Sequence, residues 1–342
     1  MMLHFDTDYM EGAHPEVMRR LLETNLEQTT GYGFDEYTKR AEKLILDACG
    51  LEKGKVFFLV GGTQTNATVI DGLLARHEGV LAAETGHINV HESGAIEATG
   101  HKVLSLPQYD GKITAEQVKK YITDFYNDES YEHMVAPGMV YISYPTELGT
   151  LYTLDELEAL SAVCRKANTP LYLDGARLGY GLAAGNAEVT LKDIARLTDV
   201  FYIGGTKVGA LFGEAVVIPN PEILPHFIPL IKQHGALLAK GRLLGIQFET
   251  LFTDDLYLHI SRHAVNMAMK LKKAFIEKGY TPFIDSPTNQ QFFLLPNTEM
   301  ERLKQIASFE IWGLRGEIET PVRLVTDWAT REDDVDEFIS SL

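Results

Sequence analysis

Cysteine is nearly absent from this 342-residue chain: Cys49 and Cys164 are the only two. Two thiols cannot cross-link a chain of this length, and their spacing fits neither a metal knuckle nor a redox pair. A reducing, cytoplasmic setting is therefore expected. Positive charge is also scarce, with 31 Lys and Arg against 48 Asp and Glu, a formal net charge of −17. That balance argues against a nucleic-acid partner, because polyanion binding draws on clustered basic side chains. No apolar run is long enough to span a bilayer, and no membrane association is expected. The opening residues Met1-Met2-Leu3-His4-Phe5-Asp6 lack the basic flank and apolar stretch of a secretory signal. Internal repeats, low-complexity tracts and Gly/Ser linkers are missing too.

What the chain does have is rhythm. Short apolar runs at Val56–Val60, Val80–Ala83, Lys102–Leu106, Val140–Tyr144, Leu171–Leu173, Val200–Ile203 and Ala215–Ile218 alternate with segments of helical period. In Leu154–Ala167, for example, Leu154, Leu157, Leu160, Ser161 and Cys164 share one face. Such alternation predicts a largely parallel sheet wrapped by helices, with ligands beyond the carboxyl ends of its strands. After Pro229 the pattern changes to long helices over Ala236–Phe252 and Leu256–Lys278, short strands at Gln291–Leu295 and Val322–Thr326, and a closing helix over Arg331–Leu342. We expect a large domain over residues 1–250 and a smaller one over 251–342.

Three motifs fall at predicted strand ends. Gly61-Gly62-Thr63-Gln64-Thr65-Asn66 opens a helix, where free N–H groups and the helix dipole favour an anion; a ligand-free tight turn is the plainer alternative. The spacing is neither a Walker loop nor a dinucleotide fingerprint. Asp174-Gly175-Ala176-Arg177 places a carboxylate at a strand end. Either Arg177 pairs with Asp174, or Asp174 faces a protonated ring nitrogen and leaves Arg177 to grip a substrate carboxylate. Gly204-Gly205-Thr206-Lys207-Val208-Gly209 puts a lysine among small residues, where desolvation favours the neutral amine that imine chemistry needs. An anion cradle, a ring-nitrogen partner and an imine-forming amine are the parts that pyridoxal 5′-phosphate (PLP) requires. His87, in Gly86-His87-Ile88-Asn89-Val90-His91, is either a buried, hydrogen-bonded histidine or an imidazole that stacks on a cofactor ring. His87 and His91 stand four apart, but no third ligand accompanies them, so we assign no metal site.

Together these motifs resemble the threonine aldolase group of PLP enzymes over essentially the whole chain. The resemblance implies the aminotransferase-like fold (fold type I), an α/β architecture with a large, mostly parallel seven-stranded sheet and a smaller C-terminal domain. It implies a phosphate turn at Gly62 and Thr63, a ring-stacking His87, Asp174 and Arg177 in the D-G-A-R motif, and Lys207 beside Thr206 as the Schiff-base lysine. Arg242 resembles an arginine that reaches the cofactor phosphate, in some members across a subunit interface. Arg177, Arg323 and Thr7 match groups that hold the substrate carboxylate. The family's common Thr-His-Asn stretch reads Thr146-Glu147-Leu148 here, placing Glu147 where that histidine stands and matching the phenylserine-aldolase branch. The implied activity is cleavage of a β-hydroxy-α-amino acid to glycine and an aldehyde by a homo-oligomer. His87 or Glu147 would act as base at the hydroxyl. The alternatives are PLP-dependent β-elimination and a non-catalytic binding protein on the same fold.

Overall fold

The computed structural model describes residues 2–185 and 187–342. A two-residue strand, β1 (Leu3–His4), opens the chain. Seven strands then build the large sheet: β2 (Lys55–Leu59), β3 (Glu78–Ala83), β4 (Lys102–Leu106), β5 (Ala136–Ser143), β6 (Leu171–Asp174), β7 (Val200–Gly204) and β8 (Glu214–Ile218). Their spatial order is β2-β8-β7-β6-β5-β3-β4, and β8 alone runs antiparallel to its neighbours. β9 (Thr281–Ile284), β10 (Gln290–Pro296), β12 (Glu310–Ile311) and β13 (Glu319–Val325) form an antiparallel sheet ordered β12-β13-β10-β9. The remaining strand, β11 (Ala307–Ser308), pairs in parallel with β1.

The continuous apolar runs follow from burial on both faces of the large sheet. One face carries Leu81, Ile142, Leu173, Phe201 and Val217, packed with Ala41, Ile45, Leu157, Leu160 and Cys164 of two helices. The other carries Val80, Tyr141, Tyr172, Tyr202 and Val216, packed with Val69, Ile70, Phe227 and Ile231. Helix Leu154–Ala167 forms as its period predicts, starting at a capping box in which Thr153 and Glu156 satisfy each other's backbone N–H groups.

Two expectations along the chain change. The helix expected over Ala236–Phe252 is confined to Arg242–Leu251, because left-handed Gly235 turns the chain after helix Phe227–Gln233. The two cores also meet inside helix Leu256–Glu277 rather than at residue 250. Its Tyr257, Ile260 and Ala264 join the large core, whereas Met267, Leu271 and Phe275 join the small one. Leu3 and Phe5 pack in the small core as well.

Candidate active site

The carboxyl ends of β2, β3, β5, β6 and β7 converge on one cleft. It is lined by Gly62, His87, Glu147, Asp174, Arg177 and Lys207, with Ser143, Pro145, Thr146, Ala176 and Tyr202 between them. Close backbone approach makes this possible: a Cβ on Gly175 would lie 1.9 Å from the Tyr202 carbonyl oxygen, so only glycine lets the β6 end pass β7.

Asp174 is the centre of a buried network. Its Oδ1 accepts the Tyr202 hydroxyl at 2.5 Å and the Ala176 N–H at 3.0 Å. Its Oδ2 accepts the Tyr141 hydroxyl at 2.7 Å and the Asn66 amide at 2.9 Å. Burial alone would raise its carboxyl, but His87 and these hydrogen bonds outweigh it and hold the group below the ordinary carboxylate range. Asp174 is therefore a buried anion, and the ion pair with Arg177 does not form. Asn66 also donates to Glu92 at 2.7 Å, and Glu92 lies 2.8 Å from His87 Nδ1, which fixes the imidazole at the cleft wall.

Arg177 pairs instead with buried Asp8, Nε to Oδ2 at 2.6 Å and Nη2 to Oδ1 at 3.0 Å. Lys207 follows a turn clamped to the start of β8: Gly205 and Thr206 donate to the Gly213 carbonyl, and Gly213 donates to the Thr206 hydroxyl. Burial, then the Arg177 charge, lowers the Lys207 pKa and favours the neutral amine. Glu214, buried at the start of β8, accepts the Gly205 N–H at 3.1 Å, and burial pushes its carboxyl up to about 8. Glu147 is not the exposed carboxylate its loop position implies. Its Oε1 accepts the Ser143 hydroxyl at 2.6 Å and the His87 N–H at 2.9 Å, and burial raises its carboxyl.

Several expected residues stand outside the cleft lining. Thr63 is exposed on the first turn of helix Gly62–Leu73, and Thr7 is half-buried beside Asp8. Arg323 is bonded to Gln290 at 2.9 Å and to Glu310, with its guanidinium 4.9 Å from the centre of the Trp312 ring. Its Nε is buried without a partner. Arg242 points to the carbonyls of Asn25 and Glu27. Asp8, Asn66, Glu92, Tyr141, Tyr202 and Glu214 were not singled out from sequence. The tyrosines left a trace, since a buried hydroxyl in an apolar strand needs a polar partner.

These residues fit PLP. Helix Gly62–Leu73 begins at Gly61 without a side-chain cap, leaving its first N–H groups for a phosphate. Asp174 is a buried anion suited to a protonated ring nitrogen, and Lys207 supplies the amine. Among the described residues, no cluster of three or more metal-ligating side chains occurs.

Comparison with known proteins agrees. The family model described as beta-eliminating lyase matches residues 4–291. A low specificity L-threonine aldolase of Pseudomonas aeruginosa is 30% identical over 306 residues, 88% of this chain and 86% of that protein. The solved threonine aldolase of Leishmania major superposes with a TM-score of 0.95 at 42% identity, covering 99% of this chain and 98% of that one. An aspartate aminotransferase of Thermus thermophilus shares the fold alone, with a TM-score of 0.73 at 14% identity over 99% of this chain and 90% of that one. The chain belongs to the threonine aldolase family, PLP-dependent carbon–carbon lyases on the type I aminotransferase fold.

Proposed function

We propose that this protein cleaves a β-hydroxy-α-amino acid of the threonine type to glycine and an aldehyde. The observation that carries the reading is the meeting of Lys207, the buried Asp174 anion, His87, Glu147 and Arg177 around one cleft. When bound, PLP supplies an electron sink for the pair released as a bond to Cα breaks. The chain's own groups decide which bond that is. Arg177, which lines the cleft, holds the substrate carboxylate and so directs the Cα–Cβ bond toward cleavage. Asp174 keeps a proton on the ring nitrogen. Glu147 takes the β-hydroxyl proton through its second oxygen, which no protein donor meets among the described residues. His87, held by Glu92, would pack against the ring.

Glu147 in the histidine's place supports a substrate whose β-substituent carries no negative charge. A second reading, β-elimination with Lys207 as the Cα base, is favoured by the name of the matching family model. Incubation with threonine, allo-threonine, phenylserine and serine separates them: glycine plus aldehyde supports cleavage, and ammonia plus the 2-oxo acid that keeps every carbon (2-oxobutyrate from threonine, phenylpyruvate from phenylserine, pyruvate from serine) refutes it.

We also infer self-association, with each site completed by a second chain. Arg242 stands outside its own cleft, and an apolar groove lined by Tyr32, Phe34, Phe57, Ile228 and Leu238 lies beside it. No helix among the described residues is long and apolar enough to cross a membrane, and both thiols are free and buried, which supports a cytoplasmic setting.

A further inference from the structure

Arg177 meets the cleft with a different edge from the one a free arginine would offer. A guanidinium presents two forks to carboxylates, Nε with Nη2 along its side and Nη1 with Nη2 across its end. The side fork is occupied by Asp8, at 2.6 and 3.0 Å. No protein acceptor among the described residues meets Nη1, although Arg177 lines the cleft with Lys207. Asp8 is wholly buried, and Asn289 donates its Nδ2 both to Asp8 at 3.0 Å and to the Thr326 carbonyl at 2.8 Å. Asp8 belongs to the N-terminal segment, whose Phe5 carbonyl accepts the Val325 N–H at 2.9 Å, so segment, β13 and the approach to β10 form one anchor.

We propose that Asp8, held by Asn289, is a positioning residue that fixes Arg177 so that only its end fork faces the substrate carboxylate. A buried carboxylate on an arginine side fork locks a side chain that otherwise samples many rotamers, and a locked fork loses less entropy when its ligand arrives. Asp8 also compensates part of the positive charge of Arg177 and Lys207, so two effects of removing it oppose each other. Lost compensation strengthens attraction for any anion, whereas lost orientation weakens a two-point grip on one carboxylate. Orientation decides the outcome, because the end fork demands in-plane alignment that a point charge does not.

The inference rests on the reading of the substrate as an α-amino acid, and the test keeps the two apart. Holoenzyme is titrated with glycine and with methylamine, which offers an amine and no carboxylate, while the visible absorbance of the cofactor is followed. Asp8→Asn should weaken glycine at least tenfold and change methylamine less than twofold. Asn289→Ala, which removes the donor to Asp8 together with its bond to the Thr326 carbonyl, should weaken glycine about threefold and carries the test if Asp8→Asn does not fold. Equal weakening of both ligands in these variants makes the pair a structural tie and overturns the proposal, as does unchanged or tighter glycine. Arg177→Ala separates the two readings: if it leaves glycine unaffected, the carboxylate is held elsewhere and the proposal falls, whereas wild-type holoenzyme that shows no absorbance change with glycine refutes the substrate reading.

Discussion

Glutamine at position 147 isolates one atom of the cleft. Glu147 uses Oε1 to accept the Ser143 hydroxyl at 2.6 Å and the His87 N–H at 2.9 Å. A glutamine carbonyl accepts both bonds equally well, so the loop and the placement of His87 persist. The change falls on the second oxygen, where an amide N–H₂ donates and cannot take a proton. General-base catalysis contributes roughly 10²–10⁴-fold, so turnover in Glu147→Gln should fall by that order with PLP retention and thermal midpoint nearly unchanged. The pH profile gives an independent reading. Burial, reinforced by the Asp174 charge against the Ser143 hydrogen bond, places the Glu147 carboxyl above the ordinary glutamate range. A base is competent only when deprotonated, so wild-type activity should rise as pH climbs through that raised value, and the variant should lose the limb. Initial rates of glycine release on threonine and phenylserine between pH 5 and 9 measure both. Near wild-type turnover with an unaltered limb removes Glu147 from the mechanism and leaves His87 or water as the base.

Borohydride reduction should fix the cofactor to a single peptide containing Lys207, and mass spectrometry finding another lysine would refute the assignment. Asp174→Ala leaves the Tyr141, Tyr202 and Asn66 donors buried without an acceptor. At about 1–3 kcal/mol each, the loss should be several kcal/mol by denaturant unfolding, and Asp174→Asn should lose clearly less. Glu214 ionises at about 8 when folded against an ordinary 4.5, so between those values the folded chain holds the extra proton and stability falls as pH rises. Glu214→Gln should therefore gain in thermal midpoint over wild type progressively from pH 5 to 9, and a constant difference would contradict this. Arg242→Ala should weaken PLP retention more than stability, and a fully active monomer by light scattering would exclude the shared site.

Burial on two faces made the large sheet legible. Strands covered by helices on both sides read as unbroken apolar runs, and β4 and the helix Leu154–Ala167 fall where their patterns place them. β9 reads Thr281-Pro282-Phe283-Ile284 with no residue fully buried, and β1 and β11 are two residues each, too short to carry a period. The site divides in the same way. Asp174 ends a strand and Lys207 and His87 stand within four residues of one, in motifs whose small residues mark close backbone approach. Glu214 opens an apolar run, and only the neighbouring strand and the Lys207 turn give its carboxylate a purpose.

The Asp174–Arg177 pair shows where local reasoning stops. Three residues apart, opposite in charge and both near a strand end, they satisfy every sequence criterion for a salt bridge. Asp174 is the last residue of β6, and its carboxylate turns toward the face that Tyr141 and Tyr202 share, where four neutral donors occupy it. Arg177 begins the next helix and turns toward a carboxylate 169 positions away in sequence. A pairing of that span is fixed by how the N-terminal segment docks against β13, and no periodicity along the chain encodes it. The separation also has a chemical consequence. An arginine bridging to Asp174 would neutralise that carboxylate and leave it no charge to offer a cationic ligand, whereas the pair with Asp8 leaves Asp174 its charge and Arg177 its end fork. Neutral donors on Asp174 and a distant anion on Arg177 keep both charges available to ligands, so the residues hidden from the sequence are those that keep the legible ones free to act.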